Sequence, residues 1–599
     1  MSLATELLSD ITLATDPMCR ELLPVLLSPT SRSSAGFPYL HRPAFTRLRD
    51  WVPHILANGP KVLAAVAQIE KRAAGFDGAE ADSLRQAARV VRQVVNTAAI
   101  TAPSTLWLLR HVLGALASEG ICARLLDGEV ITPESCPPLR PEELRIDLNL
   151  LLGRAYVVRS GDGVRIGEHH TARRVIGEAS PLPADLPASL TEQWSAAFSG
   201  HGLRTEDALM LREVTADPPV AGTRERGRWA ALPEEIEVGY RLVPMVLGLW
   251  ASGRLNELLA QAEPTASTLT PDNPRLGEAV LQVLRAAGCL DEQGHWTSVG
   301  KRLMSRGVGS FGIIEAYHPY MGQLNRVLCE GRGAVHVQRG TNITASQEAN
   351  RKTFTAANDA LDRFCQSTGF RFEVFIEHAI GRGEATRQRF ERNSEGWIHY
   401  FGADLEDAAI DAAEQERAQG NLPSEMRFVR KADIGNAQLL VDAITAADVS
   451  TEGAVMLVGN GFHEIRGQSD ERMVDVFSAY ERAGILLLFT EENALSVDDL
   501  LETAWNTYHA GFRYVHERSG QGLRPALPAA PSTMGRPLPA SWTECATKAG
   551  YVRASEFCDR SRTIYPYPTA NGHNPSISHN HFFVPGRIAR KLGLTGDAD

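Results

Sequence analysis

The alternation of apolar and polar positions changes period along the chain. In "LRQAARVVRQVVN" and "LWLLRHVLGALASEG" apolar residues recur at helical spacing, which predicts helices over roughly 44–126. Two β-rich runs flank Gly161-Asp162-Gly163 in "AYVVRSGDGVRI" and predict a hairpin. Proline-rich stretches at 179–189 and 216–227 read as connectors. "NPRLGEAVLQVLRAAGCLDEQGHWTSVGKRLMSRG" reads as a helix, a short hairpin turning at Gln293-Gly294, and a second helix, with Gly288 ending the first helix at positive φ. This is a winged-helix-like pattern. Its plain role is a packing or dimerisation module, so a homodimer is among the expected assemblies. As a DNA reader its second helix offers only Lys301, Arg302 and Arg306.

Beyond about residue 370 strands and helices alternate. "FEVFIEHAI", "WIHYFGADL", "MRFVRKADI", "GAVMLVGNG" and "GILLLFTEE" are five candidate strands, separated by helical runs such as "LEDAAIDAAEQERA" and "DERMVDVFSAYERAG". That order predicts a parallel sheet with helices on both faces. A last helix and two strands in "WTECATKAGYVRASEFCDRSRTIYPYP" suit an antiparallel closing hairpin, and "LRPALPAAPSTMGRPLP" a surface loop. The expected organisation is a mostly helical region with a small β-hairpin over 1–230, a winged-helix-like module and helical lid over 231–365, and an α/β core over 366–599.

Composition adds exclusions. The 599 residues are 43% hydrophobic and 22% charged, ordinary for a globular protein of several domains. A formal charge of −11 argues against nucleic acid or an anionic membrane as partner. No apolar run reaches the ~18 residues of a membrane span, and the acidic start "MSLATELLSDITLATD" lacks the basic opening of a signal peptide. The 8 cysteines are scattered, with no Cys-x-x-Cys, which fits a reducing cytoplasm.

The candidate chemistry falls where strands end. The first strand runs into Glu377-x-Ala379-x-Gly381-x-Gly383, small residues that let backbone approach a ligand, followed by a helix N-terminus. No third glycine arrives to make a dinucleotide fingerprint. The second strand ends at Asp404, placed to accept ribose hydroxyls, and the third at Asp433. After the fourth strand stands His463, in "VMLVGNGFHEIRGQSDE", where Ser469 caps the next helix and Asp470 and Glu471 fill its first turn. "NGHNPSISHNHFF", with His573, His579 and His581, reads as a polar C-terminal loop. "AYHPYMGQL", with Tyr317, His318 and Tyr320, reads equally as a lid or as core packing. His509 and His516 share a helical face beside Arg513 and Arg518, as a pocket lining would.

This constellation resembles the class I S-adenosylmethionine-dependent methyltransferases. The resemblance implies a Rossmann-like core with a seven-stranded sheet. It implies cofactor contacts from Glu377, Ala379, Gly381, Gly383, Asp404 and Asp433, with Ala379 where glycine is commoner and Glu377 for the usual Asp. His463 takes the place of a catalytic residue, a general base in O-methyltransferases. The string "GNGFHEIRGQSDE" is similar to a narrower group, the mononuclear-metal-dependent C-methyltransferases of polyketide synthase loading modules. That likeness implies iron or manganese held by Asp433, His463 and Gln468, and carbon methylation of a small acid or malonyl-type acyl thioester, free or carrier-tethered. Metal-dependent methyltransferases of 2-oxo acids would nominate Glu464 and His516 instead. O- or N-methylation with His463 as base, and a ligand-binding scaffold without catalysis, are the other expectations.

Overall fold

The five apolar runs of the C-terminal half pair as parallel strands, labelled here within their sheet: β1 Val374–His378, β2 His399–Asp404, β3 Arg427–Arg430, β4 Val455–Gly459 and β5 Leu486–Glu492. Three later strands follow: β6 Tyr551–Arg553, β7 Asp559–Thr563 and β8 Ser576–Pro585. The sheet order is β6-β8-β5-β4-β1-β2-β3, and β7 pairs with β8 off that path. β8 is antiparallel to β5, β6 and β7. The sheet therefore has eight strands where seven were expected, because the segment after β6 continues along β8.

β1 and β5 are buried throughout, as a sheet covered on both faces requires. One face packs Ile376, Met456, Val458, Leu487 and Phe489 against Met473, Phe477 and Tyr480 of helix Asp470–Arg482 and against Trp542. The other packs Phe375, Leu457, Leu488 and Phe582 against Phe354, Leu361 and Phe364 of helix Ile343–Thr368. β3 stops at Arg430, so Asp433 lies in the turn beyond it rather than at the strand's end.

This computed structural model describes residues 2–594, apart from 34–35, 52–55, 184–185, 188, 221–228, 337–342, 394–396, 530–531, 533–536 and 568–574. The chain divides into two compact units: 1–337, 497–515 and 564–574 form one, and 338–496, 516–563 and 575–599 the other. The first unit thus takes in the expected 1–230 region, the 231–337 part of the next and two segments from within the expected core, while 338–365 lies with the second unit.

The first unit is built on helix Ala79–Ser118, whose Leu84, Val91 and Val95 join a cluster with Leu22, Phe45, Val66 and Val299. The hairpin predicted near 161 is present as Val157–Ser160 paired with Gly163–Ile166. The winged-helix-like stretch has its two helices, Pro274–Ala286 and Ser298–Glu315, but its wing is a single bridge between Leu290 and Trp296. Gly288 has φ +67 between them, and a Cβ there would stand 2.0 Å from the Leu56 carbonyl oxygen. Segment 497–515 is fastened inside this unit by Arg154. That fully buried guanidinium donates to the Leu500 and Ala504 carbonyls and lies over the rings of Trp229 and Trp505, which meet edge to face. Among the described residues no helix is long and apolar enough to cross a membrane.

Candidate functional site

In open α/β sheets, ligands bind outside the carboxyl ends of the strands, where the strand order reverses. Here the chain moves outward from β1 to β2 and β3, then returns to lay β4 and β5 on β1's other side. The switch point lies between β1 and β4, and the loops after these two strands meet there. A Cβ added to Gly461 would stand 3.4 Å from the Ala379 Cβ.

The first loop is held from below by Glu377. This buried carboxylate accepts from the Ala385 N–H at 3.1 Å and the Thr386 N–H at 2.7 Å, the first turn of helix Glu384–Arg392. Burial pushes its carboxyl up to about 7, against the hydrogen bonds from Thr386 and Ala385 that pull it down. Both Glu377 oxygens are thereby engaged with the backbone, and its effect on a ligand runs through the loop. The loop needs left-handed backbone at three positions: Ala379 (φ +56), Gly381 (φ +52) and Gly383 (φ +80). Glycine suits such a place, and the alanine at 379 holds a conformation that costs a residue with a Cβ about 1 kcal/mol. Gly383 has a second constraint, since a Cβ there would come within 2.8 Å of Leu422 Cδ1.

Asp404 closes the loop from the neighbouring strand. Its Oδ2 accepts from the Gly381 N–H at 3.3 Å and its Oδ1 from the Glu406 N–H at 3.0 Å. Burial raises its carboxyl, opposed by those backbone donors. Asp433 is exposed, and its Oδ1 accepts from the Gly435 N–H at 2.8 Å, a local turn. It lies near enough to His378 for its charge to act on that ring. Burial lowers the His378 imidazole to about 4 while Asp433 pulls the other way, and His378 Nδ1 accepts from the Ala379 N–H at 2.9 Å.

The second loop carries His463, which is buried, on the short turn Phe462–Glu464. Glu491 of β5, wholly buried, holds it in three ways. Its Oε2 is 2.7 Å from His463 Nδ1, and its Oε1 accepts from the Phe462 N–H at 2.6 Å and the His463 N–H at 3.3 Å. His463 Nε2 faces Glu464 Oε1 at 3.5 Å. The His516 ring, also buried, is 5.0 Å away centroid to centroid. Burial alone would lower the imidazole, but the charge of Glu491 and the bonds to Glu464 and Glu491 outweigh it and raise it to about 10. Carboxylates at both ring nitrogens favour the protonated imidazole.

Asp433, His463 and Gln468, the residues named for a metal, are each engaged with protein groups. Gln468 Nε2 donates to the Phe462 carbonyl at 2.9 Å, and its Oε1 accepts from Arg524 Nε at 3.0 Å. His463 Nδ1 is held by Glu491, and Asp433 accepts from its own turn. Among the described residues no group of three or more His, Cys, Asp and Glu side chains is placed to hold a metal ion. The alternative pair, Glu464 and His516, does lie beside His463, with Glu464 held by Gln521. The donors fit a network closed by protein groups better than a coordination shell.

Several residues fall elsewhere than expected. His579 and His581 lie in β8, buried, and not in a polar loop, because β8 pairs them with Glu491 and Phe489. His573 lies outside the described residues. Tyr317, His318 and Tyr320 belong to the first unit, where Tyr320 is buried. His509 belongs to the first unit and His516 to the second. Ser469 caps helix Asp470–Arg482 as expected, accepting from the Arg472 N–H. Sequence reasoning missed Glu491 and Arg524. The signal for the first was there: two acids, Glu491-Glu492, end a strand that opens on four apolar residues.

No protein-family model matches this chain, and no curated protein matches it. Among solved structures, the C-methyltransferase domain of the citrinin polyketide synthase covers 91% of this chain and 98% of its own, at 12% identity and TM-score 0.30. The CurJ carbon methyltransferase covers 58% of this chain and 98% of its own, at 16% identity and TM-score 0.28. A putative O-methyltransferase from Nostoc punctiforme covers 56% of this chain and 94% of its own, at 10% identity and TM-score 0.35. At these scores the likenesses fix neither fold nor activity.

Proposed function

We propose that this chain transfers the methyl group of S-adenosylmethionine to a small carboxylic acid or acyl thioester, free or carrier-tethered, with carbon as the acceptor atom. The observation that carries the cofactor half is Glu377. In dinucleotide-binding folds the N-terminus of the helix after β1 receives a pyrophosphate. Here a buried carboxylate of the chain already occupies those first-turn N–H groups. A second carboxylate, Asp404, stands on the same loop. Such an edge repels phosphate and suits a ligand that is cationic at sulfur and carries ribose hydroxyls for Asp404. Asp433, in the turn beyond β3, is assigned to the adenine side, and Ala379, Gly381 and Gly383 to the methionine side.

Bound there, S-adenosylmethionine supplies an electrophilic methyl on a positively charged sulfur. The chain's part is to place and charge the acceptor. With Nδ1 of His463 held by Glu491, its Nε2 faces Glu464 Oε1 at 3.5 Å; an acceptor oxygen that takes the place of Glu464 there receives that N–H, which stabilises its negative charge as an enolate or carboxylate presents it. O- or N-methylation with His463 as general base is disfavoured by the carboxylates at both its ring nitrogens.

Calorimetry with S-adenosylhomocysteine tests the cofactor half. Mass spectrometry of a panel of malonyl-type thioesters and small acids, incubated with protein and labelled cofactor, tests the acceptor half. Binding without methyl transfer to any member would favour a ligand-binding scaffold.

A further inference from the structure

The loop that carries His463 is fixed at every backbone group around the imidazole. Glu491 takes the N–H groups of Phe462 and His463. The His463 carbonyl accepts from the Gly522 N–H at 3.1 Å. The Phe462 carbonyl accepts from the Gln468 side-chain amide. That amide has no preference of its own for this orientation, since its two ends differ only in which atom donates. Arg524 sets it. The Arg524 side chain is 2% exposed, and its Nε donates to Gln468 Oε1 at 3.0 Å. Its Nη1 donates at 2.5 Å to Asp470 and at 2.8 Å to the Ala540 carbonyl, and the guanidinium lies 5.9 Å over the Trp542 ring. Gln521, three residues earlier, holds Glu464. One short segment, 521–524, thus grips the His463 turn at the His463 carbonyl, at Glu464 and, through Gln468, at the Phe462 carbonyl.

We propose that Arg524 is a positioning residue for His463, acting through Gln468: it fixes the Gln468 amide so that nitrogen faces the Phe462 carbonyl, and thereby sets where the imidazole stands in the acceptor site. The proposal rests on the reading of His463 as the acceptor-side residue. Only the planar, forked guanidinium meets Gln468, Asp470 and Ala540 together, so a lysine at 524 would not replace it.

The test is carbethoxylation of individual histidines by diethyl pyrocarbonate, read by peptide mass spectrometry on the full chain. In the wild type His463 reacts slowly. In Arg524→Ala its rate rises about tenfold, while the buried His378 and His581, which Arg524 does not touch, keep theirs. Methylguanidinium added to Arg524→Ala returns the His463 rate toward the wild-type value. Gln468→Met, which cuts the relay but leaves Arg524 its bonds to Asp470 and Ala540, gives the same selective rise and serves if the first variant does not fold. An unchanged His463 rate in folded variants overturns the proposal, and so does a rate that rises equally at His378 and His581. S-adenosylhomocysteine calorimetry on the same samples keeps the outcomes apart: loss of cofactor binding in the wild type sinks the functional reading without altering the histidine rates.

Discussion

The loops after β1 and β4 solve the same problem with the same residue and reach different ends. Each leaves a buried strand and turns at once, and each has a buried glutamate beneath it. Glu377 meets only N–H dipoles, those of Ala385 and Thr386. Dipoles do not fully repay the desolvation of a carboxylate, and its carboxyl rises to about 7. Glu491 meets two N–H groups and a ring that can carry a full charge, His463. One loop has a buried carboxyl behind its backbone. The other has a buried ion pair, in which His463 meets Glu491 at Nδ1 and Glu464 at Nε2.

The largest effect expected from breaking this contrast is at His463. His463→Ala leaves Glu491 buried without its partner, and the loss of stability should be about 3–5 kcal/mol by denaturant unfolding. Glu377→Ala, on the other loop, removes a cap and should cost only about 1–2 kcal/mol, while weakening S-adenosylhomocysteine binding more than His463→Ala does. Equal costs at the two positions would erase the contrast.

The pH dependences should run differently as well. The His463 ring is raised from 6.5 to about 10. Its pairing with Glu491 therefore contributes fully below pH 6.5 and is lost only as pH rises through about 10. Histidine NMR should show no His463 titration over about pH 5–8, where an unperturbed ring titrates. Glu377 is raised from 4.5 to about 7, so its folded form holds a proton that the unfolded form has lost. Stability should fall as pH rises from 4.5 through 7, and Glu377→Gln should flatten that slope. A smaller effect is expected at Asp404: Asp404→Asn keeps an acceptor for the loop and should weaken cofactor binding about tenfold, or ~1.4 kcal/mol, with little change in unfolding. The smallest is a null result. Chelator treatment should leave stability and cofactor binding unchanged, since Gln468 Oε1 is committed to Arg524.

Much of the β1 side was legible in the sequence. An apolar run and spaced small residues name a strand and a close backbone turn before a helix by local rules, and the structure puts Ala379, Gly381 and Gly383 in one loop with Glu377 at the strand end and Asp404 beside it. The β4 side was legible only to the position of His463. What that residue does is set by Glu491, 28 positions away, and Gln468 is oriented by Arg524, 56 positions away. Those pairings depend on strand order and on the path of segment 521–524, which no local period encodes. The same limit applies to β8. "SISHNHFF" looks polar along the chain, yet its histidines are buried because β5 and β7 flank it. The passage of 497–515 into the first unit had no local mark either, since Arg154 is its anchor from far upstream.

The central claim is that the β1–β4 edge of this sheet holds S-adenosylmethionine. Titration calorimetry of the intact chain with S-adenosylhomocysteine tests it most directly, with nicotinamide adenine dinucleotide as the comparison ligand. The account predicts saturable heat at one site per chain with the first, abolished or sharply weakened in Glu377→Ala, and none with the second. Heat from the dinucleotide and none from S-adenosylhomocysteine would contradict it.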